Sequence, residues 1–293
     1  MIVITDENLA PYAPDGFKIV IPAGESSKSR ACKAWIEDQM LDAGFGRDAE
    51  ICAFGGGVVL DLAGFVAATY CRGISWTAIP TSLLAMVDAS IGGKVGINTQ
   101  HGKNLIGAFY PPKKIILDFK YLDTLPEKEW KNGEAEIIKC GLIADPTILE
   151  APRSIRSIKR AIEIKKEIVA KDPKEKGLRR ILNFGHTIGH AIEKVTNYEV
   201  SHGVAVANGM RIASRLSPLS FSEIEQIEAC LQHFEEIPLC DEMLDVICLD
   251  KKAVQGHPRF VLLEKIGAVC PFDGEYCTVI EKEKLRCMLQ KAV

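Results

Sequence analysis

Three histidines crowd one short stretch of this chain. Asn183-Phe184-Gly185-His186-Thr187-Ile188-Gly189-His190 is followed by Ser201-His202-Gly203. His186 and His190 are four apart and share a face if the segment is helical. His202 follows far enough on to return from a second element. With a carboxylate from Glu134 or Glu136 the set becomes a site of two histidines and one carboxylate that leaves one zinc position open, suited to polarising an oxygen as a Lewis acid. A lone histidine is ordinarily a satisfied, partly buried side chain; the clustering is what points to metal. His233 and His257 have no such company and read as non-catalytic.

Two glycine segments suit anions. Phe54-Gly55-Gly56-Gly57-Val58-Val59-Leu60-Asp61 follows a predicted strand and opens a predicted helix, which places bare backbone where a pyrophosphate can approach a helix N-terminus. Gly55 and Gly57 fit the dinucleotide fingerprint, Leu60 replaces its third glycine, and a purely structural tight turn is the alternative. Asp88-Ala89-Ser90-Ile91-Gly92-Gly93-Lys94, then Gly102-Lys103-Asn104, sets two lysines beside flexible backbone, suited to phosphate or carboxylate; its spacing is not that of a Walker loop, and a solvated loop is the alternative. Glu136 and Lys139 share a helical face from which Glu134 is turned away, a spacing that an exposed ion pair also explains.

The elements that must position these groups fall into two patterns. Short β-branched runs at 2–5, 18–21, 50–54, 76–79 and 115–118 alternate with helical spacing at 27–43 and 58–70, the signature of an α/β layer with a mainly parallel sheet. After Leu125-Pro126 amphipathic helical segments follow one another. One covers 222–234, with Ser222 and Glu225 as its capping-box pair and Ile224, Ile227, Leu231 and Phe234 along one face. The fold class is therefore an α/β domain with a mainly parallel sheet over 1–125, carrying the glycine turn suited to a nucleotide, and an all-α domain over 126–293, carrying the histidines suited to a metal.

The 293 residues are 47% hydrophobic and 26% charged, with a formal charge of −3. This is a globular composition with no basic run, so neither nucleic acid nor an anionic membrane is an expected partner. The longest apolar stretch, 53–70, is broken by glycines and Asp61 and does not read as a membrane span. The opening Met1-Ile2-Val3-Ile4-Thr5-Asp6 lacks a signal peptide's basic region and cleavage site, so the cytoplasm is expected. Ten cysteines spread over the chain without C-x-x-C read as reduced, buried thiols.

Together the segments resemble 3-dehydroquinate synthase of the shikimate pathway over nearly the whole chain. The resemblance rests on GGGVVLDLAGFVAATYCRG, IPTSLLAMVDASIGGKVGIN, GKNLIGAFYPP, GEAEIIKCGLI, GLRRILNFGHTIGHAIE and HGVAVANGM, in that order. It implies a two-domain, NAD-dependent, zinc-containing lyase acting on 3-deoxy-D-arabino-heptulosonate 7-phosphate by transient oxidation, phosphate elimination, re-reduction and intramolecular aldol closure.

By that resemblance Glu136, His186 and His202 are the zinc ligands, and His190 stands beside the metal as a proton-transfer residue. Asp88, Lys94, Asn104 and Lys139 are assigned to the reacting substrate. Lys165, Arg179 and Asn183 bind it too, with Lys251 or Lys252 as a further contact. Arg72 resembles the arginine that reaches a neighbouring subunit's site, which implies a homodimer. The NAD residues are Asp6, Glu25 and Lys28, then Gly56, Gly57 and Asp61, then Thr81, Ser82 and Lys103. Cobalt or another divalent ion also suits the ligand set.

Three departures from the family pattern stand out. Leu60 occupies a usual glycine position, which bears on NAD affinity; the chain opens without the additional N-terminal strands of most members; and 148–159 is shortened. Competing readings are a related cyclase acting on another sugar phosphate, an NAD- and metal-dependent polyol dehydrogenase, and a lapsed enzyme kept as a scaffold. Lys94, Lys165 and Arg179 favour a substrate with both carboxylate and phosphate. The retained Glu136, His186, His190 and His202 weigh against a scaffold.

Overall fold

The computed structural model describes residues 1–238, 240–248 and 258–290. The chain divides into two compact units, Met1–Trp130 and Lys131–Val293. The first is built on strands β1 (Ile2–Asp6), β2 (Phe17–Ile21), β3 (Glu50–Gly55) and β4 (Ser75–Pro80), with helices α1 (Arg30–Asp42) and α2 (Gly57–Thr69). A hairpin of β5 (Lys94–Thr99) and β6 (Gly102–Phe109) follows, then β7 (Lys114–Ile115). Five strands pair in parallel in the order β2-β1-β3-β4-β7.

Both faces of this sheet are covered, and strand alternation sorts the side chains accordingly. Ile2, Ile4, Ile51 and Ala53 pack with Trp76 and with Val59, Leu62 and Val66 of α2, while Val3, Cys52, Phe54 and Ile79 form a second cluster. Helix α2 is apolar nearly all round, as its burial requires. Chain order reverses on either side of β1, so β1 and β3 flank a topological switch point, where open α/β sheets bind ligands at the carboxyl ends of their strands.

The second unit is mainly helical: α3 (Glu127–Ile143, which begins in the first unit), α4 (Ile155–Lys171), α5 (His186–Val195), α6 (His202–Leu216), α7 (Phe221–Leu231) and α8 (Asp241–Cys248). Four short strands follow, β8 (Arg259–Phe260), β9 (Leu263–Lys265), β10 (Ala268–Val269) and β11 (Thr278–Val279), and then α9 (Lys282–Gln290). Strands β9 and β10 pair antiparallel, as do β8 and β11, an addition to the helical expectation. The core joins Ile188 and Ile192 of α5, Ile212 of α6 and Leu244 of α8 to Phe260.

Several local expectations are corrected. The capping box of α7 is Ser220 with Glu223, not Ser222 with Glu225: Ser220 Oγ accepts the Glu223 N–H and Glu223 Oε2 accepts the Ser220 N–H. The helix thus starts one residue earlier than read, and Phe234 is buried beyond its end. Strand pairing in 115–118 ends at Ile115, because Asp118 caps the next 3-10 turn by accepting the Lys120 N–H. The lysine-bearing glycine loop leads into the β5–β6 hairpin instead of staying open. The described cysteines are free; Cys52 and Cys140 are buried and Cys240 is exposed. Among the described residues no helix is long and apolar enough to cross a membrane.

Candidate metal and nucleotide sites

Glu136, His186 and His202 meet inside the second unit. Glu136 lies mid-helix on α3, whereas both histidines are first residues of helices, α5 and α6. Gly185, at φ 78°, caps α5 in the left-handed region, and a Cβ on Gly209 of α6 would stand 1.8 Å from the Gly185 carbonyl oxygen. Only glycine permits that approach. The close crossing of α5 and α6 brings the two imidazoles to a centroid separation of 5.5 Å.

The donor atoms converge on one oxygen. Glu136 Oε1 lies 3.5 Å from His186 Nε2 and 3.4 Å from His202 Nε2, and all three ligand atoms fall within 4.8 Å of one another. Donors placed tetrahedrally at about 2.0–2.2 Å from zinc stand about 3.3–3.6 Å apart. Glu136 is 3% exposed, and its Oε1 is buried without a hydrogen-bond partner, a condition that costs about 1–3 kcal/mol unless something fills the gap. A divalent cation fits these residues.

Electrostatics prepare the cluster. The buried Lys139 donates to Glu136 Oε2, leaving Oε1 toward the histidines. Burial works to raise the Glu136 carboxyl, but Lys139, His186 and His202 hold it well below its ordinary range. Burial and the Lys139 charge keep His186 well below its usual value. Burial also disfavours charge on His202, yet Glu136 and Glu193 push it up to about 10. The exposed His190 sits beside the cluster, its ring 5.3 Å from that of His186 and edge-on. Glu134 faces another way: its Oε2 accepts from Arg153 at 2.8 Å and lies 3.3 Å from His233 Nε2.

The other residues expected of substrate in this unit lie on adjoining elements. The buried Arg179 and half-buried Asn183 sit on the 3-10 turn Leu178–Asn183 that leads into α5, and the buried Lys165 is on α4, which packs against that turn. What orders this approach had no cue in residue type or spacing. Asp172 accepts backbone N–H groups from Lys176 (2.9 Å), Gly177 (2.7 Å) and Arg179 (3.0 Å). Arg179 Nη1 donates to the Pro173 carbonyl, and Asn183 Nδ2 donates to Glu175 Oε1 at 2.6 Å. Lys251, Lys252 and His257 lie outside the described residues.

In the first unit, Asp6, Gly56, Gly57, Thr81 and Ser82 gather at the carboxyl ends of β1, β3 and β4. Gly56 caps α2 without any side-chain hydrogen bond, leaving helix N–H groups for a ligand, and Cβ atoms on Gly56 and Gly57 would meet only Ser82 Oγ at 3.5 Å and Ala89 at 3.7 Å. Leu60 points into the core at 1% exposure, so its bulk lies away from the turn. The backbone fits a dinucleotide phosphate.

The charged residues are less uniform. Lys28 pairs with Asp61, whose carboxyl burial pushes up against the opposing pull of Lys28. Asn98 Nδ2 donates to Glu25 Oε1 at 2.7 Å, and Asn98 Oδ1 accepts the N–H of Asn104, which holds φ 56°. Glu25 and Asn104 are thereby tied to one side chain. Asp88 lies in a π-helical turn, Ala85–Ala89, a local widening common at functional sites. Lys94 is exposed at the start of β5, Lys103 is half-buried on β6, and Arg72 is exposed just beyond α2.

Strand order, glycine turn and three-ligand cluster define a class: a parallel α/β unit of dinucleotide-binding type joined to a helical unit with a metal-type donor set. The chain belongs to the 3-dehydroquinate synthase family, matching the model described as 3-dehydroquinate synthase N-terminal over residues 18–132 and that described as 3-dehydroquinate synthase C-terminal over 133–253. It is 42% identical to the 3-dehydroquinate synthase of Acidithiobacillus ferrooxidans, with 91% of this chain and 83% of that one covered. The enzyme of that name from Thermoanaerobacter pseudethanolicus is 43% identical, at 92% and 81% coverage. Among solved structures, 2-epi-5-epi-valiolone synthase from Streptomyces hygroscopicus subsp. jinggangensis, with NAD+ and Zn2+ bound, aligns with a TM-score of 0.87 at 26% identity, covering 100% of this chain and 91% of that one. A 2-deoxy-scyllo-inosose synthase complexed with carbaglucose-6-phosphate, NAD+ and Co2+ gives 0.86 at 25% identity, with 99% and 89% covered.

Proposed function

We propose that this protein is a 3-dehydroquinate synthase that converts 3-deoxy-D-arabino-heptulosonate 7-phosphate to 3-dehydroquinate and phosphate, using NAD and a divalent metal, zinc by ligand preference. The observation that carries the chemistry is the orphaned Glu136 Oε1 facing His186 Nε2 and His202 Nε2. Identity of 42–43% to proteins of that name, against 25–26% to two cyclases of other names, supports the substrate. When bound, NAD would supply a reversible hydride acceptor and the metal a Lewis acid.

The chain's own residues do the rest. In this reading residues 1–125 hold NAD: the Gly56–Gly57 turn and α2 N-terminus take the pyrophosphate, with Asp6, Glu25, Lys28, Asp61, Thr81, Ser82 and Lys103 around the cofactor. Residues 126–293 hold the metal through Glu136, His186 and His202. Asp88 contacts the reacting substrate, and Lys165 and Arg179 bind its anionic groups. Lys94, Lys139, Asn104 and Asn183 stabilise the charge that grows as phosphate leaves, and one of Lys251 and Lys252 adds a contact. His190, beside the metal set, relays protons. Groups already held in place favour the closing aldol step. Arg72 completes a neighbouring subunit's site, so the working form is a homodimer. The deciding experiment follows phosphate release and NADH absorbance together, with His186→Ala as the control.

A further inference from the structure

His202 is approached by carboxylates at both ring nitrogens. Glu136 Oε1 stands 3.4 Å from Nε2, and Glu193 Oε1 stands 3.6 Å from Nδ1. Glu136 is absorbed by the metal set; Glu193, the last residue of the GLRRILNFGHTIGHAIE segment, is not. It lies on α5 two turns beyond His186, on the same face of the helix. It is 5% exposed beside the core residues Ile188, Ala191 and Ile192. A carboxylate in such surroundings is costly to retain without a polar purpose.

We propose that Glu193 is the positioning residue of the metal site. It accepts the Nδ1–H of His202, which makes Nε2, on the Glu136 Oε1 side, the nitrogen presented to the metal, and holds the ring's rotation. The observed 3.6 Å is an ion-pair separation, and a few tenths of an ångström of closure makes it a hydrogen bond. His186 shows the same logic with a different acceptor: its Nδ1 lies 3.2 Å from the Phe184 carbonyl oxygen while its Nε2 faces Glu136. Each ligand histidine thus has an acceptor behind it and the shared oxygen in front. Outer partners of this kind typically carry about 10–100-fold in metal affinity.

The inference rests on the reading that the cluster binds a divalent metal, and the test separates the two. Zinc affinity of purified wild type, Glu193→Gln and Glu193→Leu is measured by competition with a chromophoric chelator, and thermal unfolding of the metal-free proteins reports folding. The expectation is one tight zinc in wild type, with Glu193→Leu weaker by about 10–100-fold and Glu193→Gln, which keeps a neutral acceptor, in between. Cobalt-loaded protein should show a visible spectrum altered in the same order. If wild type holds zinc and both variants hold it equally tightly, Glu193 is only packing and the inference falls. If Glu193→Leu does not fold, Glu193→Gln alone decides. If wild type takes up no zinc, the underlying metal reading fails first and takes this one with it.

Discussion

The Lys28–Asp61 pair joins two residues of the proposed NAD set in one buried ion pair. Both belong to the expected NAD set, yet in the structure they neutralise each other, with side chains 5% and 17% exposed. Removing one partner of such a pair strands the other charge, whereas replacing both with apolar groups of similar size is often neutral. Asp61→Asn should therefore lower stability by about 3–5 kcal/mol, and Lys28→Met with Asp61→Leu should recover most of it in urea unfolding. The double variant should still bind NAD more weakly than wild type by about tenfold or more in calorimetry, since charge-assisted hydrogen bonds to the cofactor are lost. Unchanged NAD affinity would show the pair to be structural only. At this scale the histidines and glycines were legible in the sequence, because their types are informative without coordinates. Lys28 and Asp61 read as two separate cofactor residues, because their pairing is a tertiary contact.

Among elements, the decisive feature is how α5 is delivered to α6. The left-handed Gly185 and the bare Gly209 set the helix crossing, while the Asp172 carboxylate organises the turn that carries Arg179 and Asn183. Burial works to raise the Asp172 carboxyl, but the N–H groups of Lys176, Gly177 and Arg179 hold it below its ordinary value. A depressed folded pKa stabilises the fold above the unfolded value, about 3.9, and that stability is lost as pH falls through the lower folded value. Asp172→Asn should thus be less stable than wild type between pH 7 and 5, with the gap closing below about pH 4 in urea unfolding. A gap that persists in acid would mean that the carboxylate's charge is irrelevant. The parallel strands and α1 and α2 were legible to within a few residues, since β-branched runs and helical spacing are local signals. The β5–β6 hairpin, the π-turn at Ala85–Ala89 and the short strands of the second unit were not, because pairing and helix widening are fixed by distant neighbours. The capping box was misplaced because two serine–glutamate pairs of the same spacing overlap, and only the backbone at Ser220 selects one.

At the scale of the whole molecule, the proposed function assigns NAD to one unit and the metal to the other, and a homodimer in which Arg72 serves the neighbouring site is its further prediction. Arg72→Ala and His186→Ala should each be inactive alone, yet equimolar unfolding and refolding together should restore measurable turnover, because a mixed dimer contains one site with an intact metal set and a borrowed arginine. No recovery, with mixed dimers shown to form, would place Arg72 in its own subunit's chemistry. Most direct of all is one assay of the purified chain with 3-deoxy-D-arabino-heptulosonate 7-phosphate, NAD and zinc, in which released phosphate and NADH absorbance are followed together. A 3-dehydroquinate synthase releases phosphate steadily without net NADH, and His186→Ala abolishes the release. NADH accumulating with turnover, or no phosphate release from protein with zinc and NAD bound, would contradict that activity.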